Sequence, residues 1–223
     1  PVHSLSVGER QRVEIVRGAA SAIYGSDAIG GVVQIFTRKG EGRPVVELGI
    51  GGGTLGLAKL DASIAGSSGI VDYALGASGE SSNGFNSRPL AVAVPGFTPD
   101  VDGYASRNAS LRLGMQLSKT QRLELSALTS HVNSEYDSSA TSRIDDRTLS
   151  DTRTQRAAWT AQWSPELRSE LSVGESTERY ETPPPGSPYL TETRVRSYAF
   201  SGSYKLGQGG LLQGLLERRE DKL

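Results

Sequence analysis

Four carboxylates near the middle of this 223-residue chain are the residues best placed to do chemistry. Asp100 and Asp102 sit two apart ahead of a glycine in "TPDVDGYAS", Asp137 follows in "SEYDSS", and Asp151 lies in "LSDTR". Carboxylates brought together repel one another unless a hard cation sits among them, and calcium accepts about 6–8 oxygen ligands of this kind. The competing reading is that acidic loops are simply solvated. The elements that carry the four decide between these readings.

Other chemistry is thinner. "GGGTLG" at 51–56 has the G-x-G-x-x-G spacing of a dinucleotide-binding turn, follows the apolar run "VVELGI", and has Asp72 near the place of a ribose-binding acid. Its context argues against it. Glu47 interrupts what should be a fully buried parallel strand, and "LAKLDASIAG" is too short and too alternating for a crossover helix. His3 and His131 are the only histidines and lie far apart, Ser21 and Ser26 have no nucleophile elbow around them, and there is no cysteine. No catalytic constellation is visible, so the chain does not read as an enzyme.

The elements that would position the carboxylates are strands. In "NASLRLGMQLS", Ala109, Leu111, Leu113, Met115 and Leu117 share one face, and Asn108, Ser110, Arg112, Gly114, Gln116 and Ser118 the other. Only a period of two makes that split. "RAAWTAQWS" repeats it with Trp159 and Trp163, and "RSYAFSGSYKL" with Tyr198, Phe200 and Tyr204. Nine such segments are expected, at 44–53, 57–66, 70–80, 106–118, 122–136, 150–164, 167–181, 190–206 and 211–220. Tight turns at 66–69, 118–121, 164–166 and 207–210 alternate with "GTLG" at 53–56 and long polar loops near 81–105, 137–149 and 182–189. Up-and-down hairpins would then put every tight turn on one side and the acidic loops on the other, as in an outer-membrane β-barrel. A soluble β-sandwich, such as a secreted adhesion module, is the alternative. Expected strands of 13–17 residues favour the barrel, since globular strands average about 5–6. On the barrel reading Leu111, Leu113, Trp159 and Phe200 face lipid, and Trp163 and Tyr204 stand beside tight turns where an aromatic girdle belongs.

Composition is compatible with this. No apolar run reaches the ~18 residues of a transmembrane helix, but a membrane strand needs only about 9–11. The net charge of −1 gives no clustered basic face for nucleic acid. The chain does not begin with Met, and we expect it to be an internal piece of a longer protein.

The first forty residues have a different style, and their end near Gly40 is the expected domain boundary. "RVEIVRGAASAIYGSDAIGGVVQIFTRKG" resembles the end of the plug domain of TonB-dependent outer-membrane receptors, matching at Arg12, Glu14, Arg17, Gly18, Tyr24, Gly25, Ala28, Gly30, Gly31 and Thr37. Ala19 replaces the usual proline and Gln34 the usual asparagine. The resemblance implies a mainly β protein: residues 1–39 as the C-terminal part of an α/β plug, and residues 40–223 as roughly the first nine strands of an antiparallel barrel of about 22. It implies that Glu14 and Arg17 pair with the barrel wall. It also implies that the partners are TonB, outer-membrane lipid and a scarce nutrient. The stretch "NGFNSRP…DVDGYASRN…SEYDSS…LSDTR" is similar to the early barrel of cobalamin receptors, which implies a corrinoid as the nutrient, with a ferric siderophore as the alternative. In those receptors acidic loop residues bind calcium. Asp100, Asp102, Asp137 and Asp151 match such positions, while Asn86 stands where a further Asp is common.

Overall fold

The computed structural model describes residues 10–18, 30–37, 39–86, 101–136, 146–184 and 188–223. They form two antiparallel sheets. The first is a hairpin of β1 (Arg10–Arg17) and β2 (Gly31–Thr37). Of the stretch between them, Gly18 and Gly30 at its edges are described, and "AASAIYG" falls outside the described residues.

The second sheet has nine strands: β3 (Val45–Gly52), β4 (Ala58–Ser68), β5 (Val71–Phe85), β6 (Asp102–Gln116), β7 (Gln121–Tyr136), β8 (Asp146–Gln162), β9 (Leu167–Thr182), β10 (Tyr189–Lys205) and β11 (Leu211–Lys222). Each strand pairs only with its neighbours in sequence, and β3 and β11 are the edges. "GGGTLG" is the end of β3 and its turn into antiparallel β4, with Leu55 and Gly56 at positive φ. No crossover helix follows, which removes the dinucleotide reading. The strands run further into the polar loops than alternation suggests: β5 continues to Phe85, β6 begins at Asp102 and β8 at Asp146. Those extensions carry no apolar stripe. They are held by backbone pairing and by polar contacts such as Tyr104 Oη donating to Glu80 across β5–β6.

The two faces differ as the period of two requires. One face carries the rows Leu75–Leu111–Ala127 and Tyr73–Leu113–Leu125–Ala157–Val173–Tyr198, followed by Val71–Met115–Leu123–Trp159–Leu171–Phe200–Leu216. It is exposed: Leu48 is 77%, Ile50 88% and Phe200 48% accessible. The sheet has almost no apolar interior, and Ala158 and Ala161 are the buried hydrophobics among the described residues. The opposite face holds the polar set and is the more buried along β5–β7, where Ser130 is 2% accessible. The polar face is therefore the inside of the curve. A soluble sandwich buries its apolar face; this wall turns it outward.

The register gives the wall a slope. The last outward-facing pair before each tight turn is Ser68/Val71, then Leu117/Gln121, Trp163/Leu167 and Leu206/Gly210. Each lies one cross-strand row, or two residues, beyond the one before it. At about 3.4 Å per residue and 4.8 Å per strand, two residues per hairpin is a tilt of about 35°. The other margin of the apolar band obeys the same slope. It runs from Ile50 on β3 through Ala109 on β6 to Leu216 on β11, four rows over eight strand steps. Between the margins the band spans Ala109 to Leu117 on β6 and Tyr198 to Leu206 on β10. At this tilt nine such residues rise about 25 Å, the height of a lipid-facing band.

Candidate functional site

The inner face is the wall's chemically equipped surface. Near the tight turns, β5, β6 and β7 place Asp72, Gly114 and Glu124 side by side. Arg122 reaches over Gly114 and donates to both oxygens of Asp72, Nη1–Oδ2 2.7 Å and Nη2–Oδ1 2.9 Å. Arg112 donates to both oxygens of Glu124 at 2.7 and 2.8 Å, and Arg122 lies 3.7 Å from the same carboxylate. The four groups form one chain of alternating charge. It is partly shielded from water, so the bidentate Arg–carboxylate geometry counts for more than an exposed pair would. Further along the same face, Arg156 and Thr160 both donate to Glu170, and Thr154 meets Ser176 at 3.1 Å. Such a surface binds polar groups and water. It offers no nucleophile with a base.

Of the sequence-derived metal residues, Asp100 and Asp137 lie outside the described residues. Asp102 opens β6 on the inner face by alternation, while Asp151 lies on the outward face of β8, where its Oδ1 accepts a 2.7 Å hydrogen bond from His131 Nδ1. Opposite faces of one wall cannot serve one ion, and among the described residues no three His, Cys, Asp or Glu groups gather. Asp102 and Asp151 do not fit a common calcium site. Glu14 and Arg17 are exposed on β1 three positions apart, so alternation turns them to opposite faces of the hairpin. Leu111, Leu113, Trp159 and Phe200 all stand in the outward apolar rows.

Residues 39–44 lead into β3 and are fastened to the β4–β5 turn. Gly40 is buried against backbone, where an added Cβ would sit 2.1 Å from Gly66 O and 2.2 Å from Tyr73 O. Ser67 donates to Gly42 O from its backbone N at 2.8 Å and its Oγ at 3.2 Å. Composition hid both this strap and the Arg122–Asp72 clasp. Their one sequence signal is a glycine among charged or bulky neighbours.

Comparison with known proteins shows what this wall is similar to. Residues 2–32 match the TonB-dependent Receptor Plug Domain family. That stretch is similar to the plug of TonB-dependent receptors. It is 34% identical over 130 residues to the Vitamin B12 transporter BtuB of Photobacterium profundum and 35% identical over 132 residues to that of Vibrio cholerae, covering 58% and 57% of this chain. The match spans 21% of the length of each of these relatives. Among solved structures, the siderophore receptor PiuA from Acinetobacter baumannii superposes with a TM-score of 0.73 at 10% identity, over 96% of this chain and 36% of that one. The ferripyoverdine receptor of the outer membrane of Pseudomonas aeruginosa gives 0.72 at 13% identity, over 94% and 32%. At such identities the likeness is one of fold. The fold is thus that of part of an outer-membrane β-barrel, with the apolar rows on the outward face of the wall and the polar rows on the inward one.

Proposed function

We propose that the whole protein binds a corrinoid at its long-loop side and imports it, driven by TonB acting on the plug. The observation that carries this reading is the 34–35% identity to Vitamin B12 transporters over more than half of this chain. Its chemistry agrees. A lumen lined by paired charges and hydroxyls suits passage of a large polar nutrient, and the open edges of β3 and β11 call for further strands, because lipid leaves no backbone group unpaired. A ferric siderophore is the second reading, favoured by fold neighbours named as a siderophore receptor and a ferripyoverdine receptor.

Calcium at the outer loops would draw on Asp100, Asp102 and Asp137 rather than on Asp151, which faces the other way. The test is equilibrium binding of cyanocobalamin and of a ferric siderophore panel to the full-length receptor. Tight, saturable binding of the corrinoid alone is expected. Siderophore binding without corrinoid binding would replace the first reading with the second.

A further inference from the structure

Between Thr37 at the end of β2 and Val45 at the start of β3, the chain is fastened from Lys39 onward before it enters the wall. Gly40 is buried flat on the β4–β5 ladder, against the backbones of the paired residues Gly66 and Tyr73. Gly42 turns at a φ of +64°, and its carbonyl accepts from both the backbone N and the Oγ of Ser67. Pro44 then lies against Gly66, where an added Cβ would meet Pro44 Cα at 2.8 Å. Lys39, at the head of the strap, lies within electrostatic reach of Asp72. All these partners belong to β4 and β5, strands paired on both sides. β3 itself is an edge, held to β4 alone by the pairs from Val45↔Ala65 to Gly52↔Ala58.

We propose that this strap is a mechanical stop, which passes a pull on the plug into β4 and β5 so that β3 is not peeled from the wall. The geometry sets the order of failure. β1 and β2 are antiparallel with Arg10 opposite Thr37, so a pull between the chain before Arg10 and Lys39 opens their pairs one at a time. A pull arriving at Val45 would lift β3 from β4 in the same way, because Val45 is the end of that ladder. Opening starts at such ends and edges. The strap bears load differently. Its contacts fall at every second residue, Gly40, Gly42 and Pro44, so they share the load instead of meeting it in turn. Lifetime under force follows the opening barrier of the element that is loaded. The proposal rests on the reading that the plug is pulled, and names the place where the pull ends.

The test pulls the full-length receptor, held in a lipid bilayer, by a tag at its N-terminus under constant force, with neither TonB nor nutrient present. Extension of residues 10–37 adds about 95 Å, and loss of the strap and β3, residues 39–52, adds roughly 50 Å more at ~3.4 Å per residue. The first step is expected alone, followed by a plateau while the strap holds. Gly40→Ala should shorten the plateau at least about fivefold, because the strap can no longer lie flat. Ser67→Ala keeps the backbone bond and loses only the Oγ one, so it should shorten the plateau less, and it decides the matter if Gly40→Ala fails to assemble. Gly202→Ala, where the Cβ meets nothing nearer than Arg168 O at 4.0 Å, should leave the plateau unchanged. Release of both lengths in one step overturns the proposal. So does a plateau of wild-type length in Gly40→Ala or Ser67→Ala, or one shortened as much by Gly202→Ala. The instrument supplies the pull, so these outcomes are separate from whether TonB or a corrinoid binds.

Discussion

Arg122 grips Asp72 from two strands away, passing directly over Gly114 on the strand between them. A Cβ at residue 114 would lie 2.0 Å from Arg122 Nη2 and 2.5 Å from Asp72 Oδ2. The arginine tip can swing away, so Gly114→Ala should cost the ion pair rather than the backbone, about 1–3 kcal/mol. Asp72→Ala should cost a similar amount, and the double variant little more than either alone, because both remove one interaction. Urea unfolding of the full-length receptor in vesicles checks this; additive costs would show that the glycine and the clasp act separately.

The strap into β3 meets rigid neighbours instead. Gly40→Ala would drive a Cβ into the carbonyls of Gly66 and Tyr73, which cannot swing aside. An expected cost of about 1–3 kcal/mol follows from overpacking. Hydrogen exchange at the Ser67 amide, bonded to Gly42 O, should quicken in the variant, while the amides of β9 and β10 keep their wild-type protection.

Outward and inward positions on β6 should respond oppositely to charge. Leu113→Arg places a guanidinium in the middle of the lipid band and should cost about 2–4 kcal/mol, whereas Ser110→Arg faces the lumen and should be nearly neutral. Equal costs measured by the same unfolding would reverse the two faces.

The tilt itself can be measured. Leu111 and Gln155 occupy one cross-strand row on β6 and β8, yet one is inside the apolar band and the other beyond it. With a slope of about 35°, Gln155 should lie about 5 Å nearer the external surface. The chain has no cysteine, so single Leu111→Cys and Gln155→Cys labels can be ranked by depth-dependent quenching with brominated lipids. Equal depths would mean upright strands.

Calcium should tighten corrinoid binding by ordering the outer loops before the ligand arrives, which spares the ligand that entropic cost. Asp100→Ala and Asp102→Ala should abolish the difference between calcium and chelator, and Asp151→Ala should leave it intact. Corrinoid affinity that ignores calcium in the wild-type receptor would dispose of the metal site alone.

The wall was legible in the sequence because lipid outside and water inside impose a strict period of two, and because turn length labels the two ends. Leu111, Trp159 and Phe200 announce their face by type. The strand extensions at 81–85, 102–105 and 146–149 were not legible, since residues such as Ser81 and Asn83 satisfy backbone pairing without an apolar stripe. The acidic set was legible as a group only by loop side. Which face each carboxylate takes depends on its position within a strand, and a strand start misplaced by a few residues hides that Asp102 and Asp151 point apart. The Arg122–Asp72 clasp needed the register of three strands at once.

Every pairing in the wall joins strands adjacent in sequence, through connections that run from the two residues at 69–70 to the sixteen at 86–101. Closing loops of that size is entropically cheap, and no strand has to wait for a distant partner. The wall can therefore grow in chain order, each hairpin clipping onto the free edge left by the last. Because each tight turn is set two residues beyond its predecessor, every newcomer meets an edge already staggered in the sense it needs. The half-built protein is a slanting ribbon whose pitch is fixed from the first hairpin.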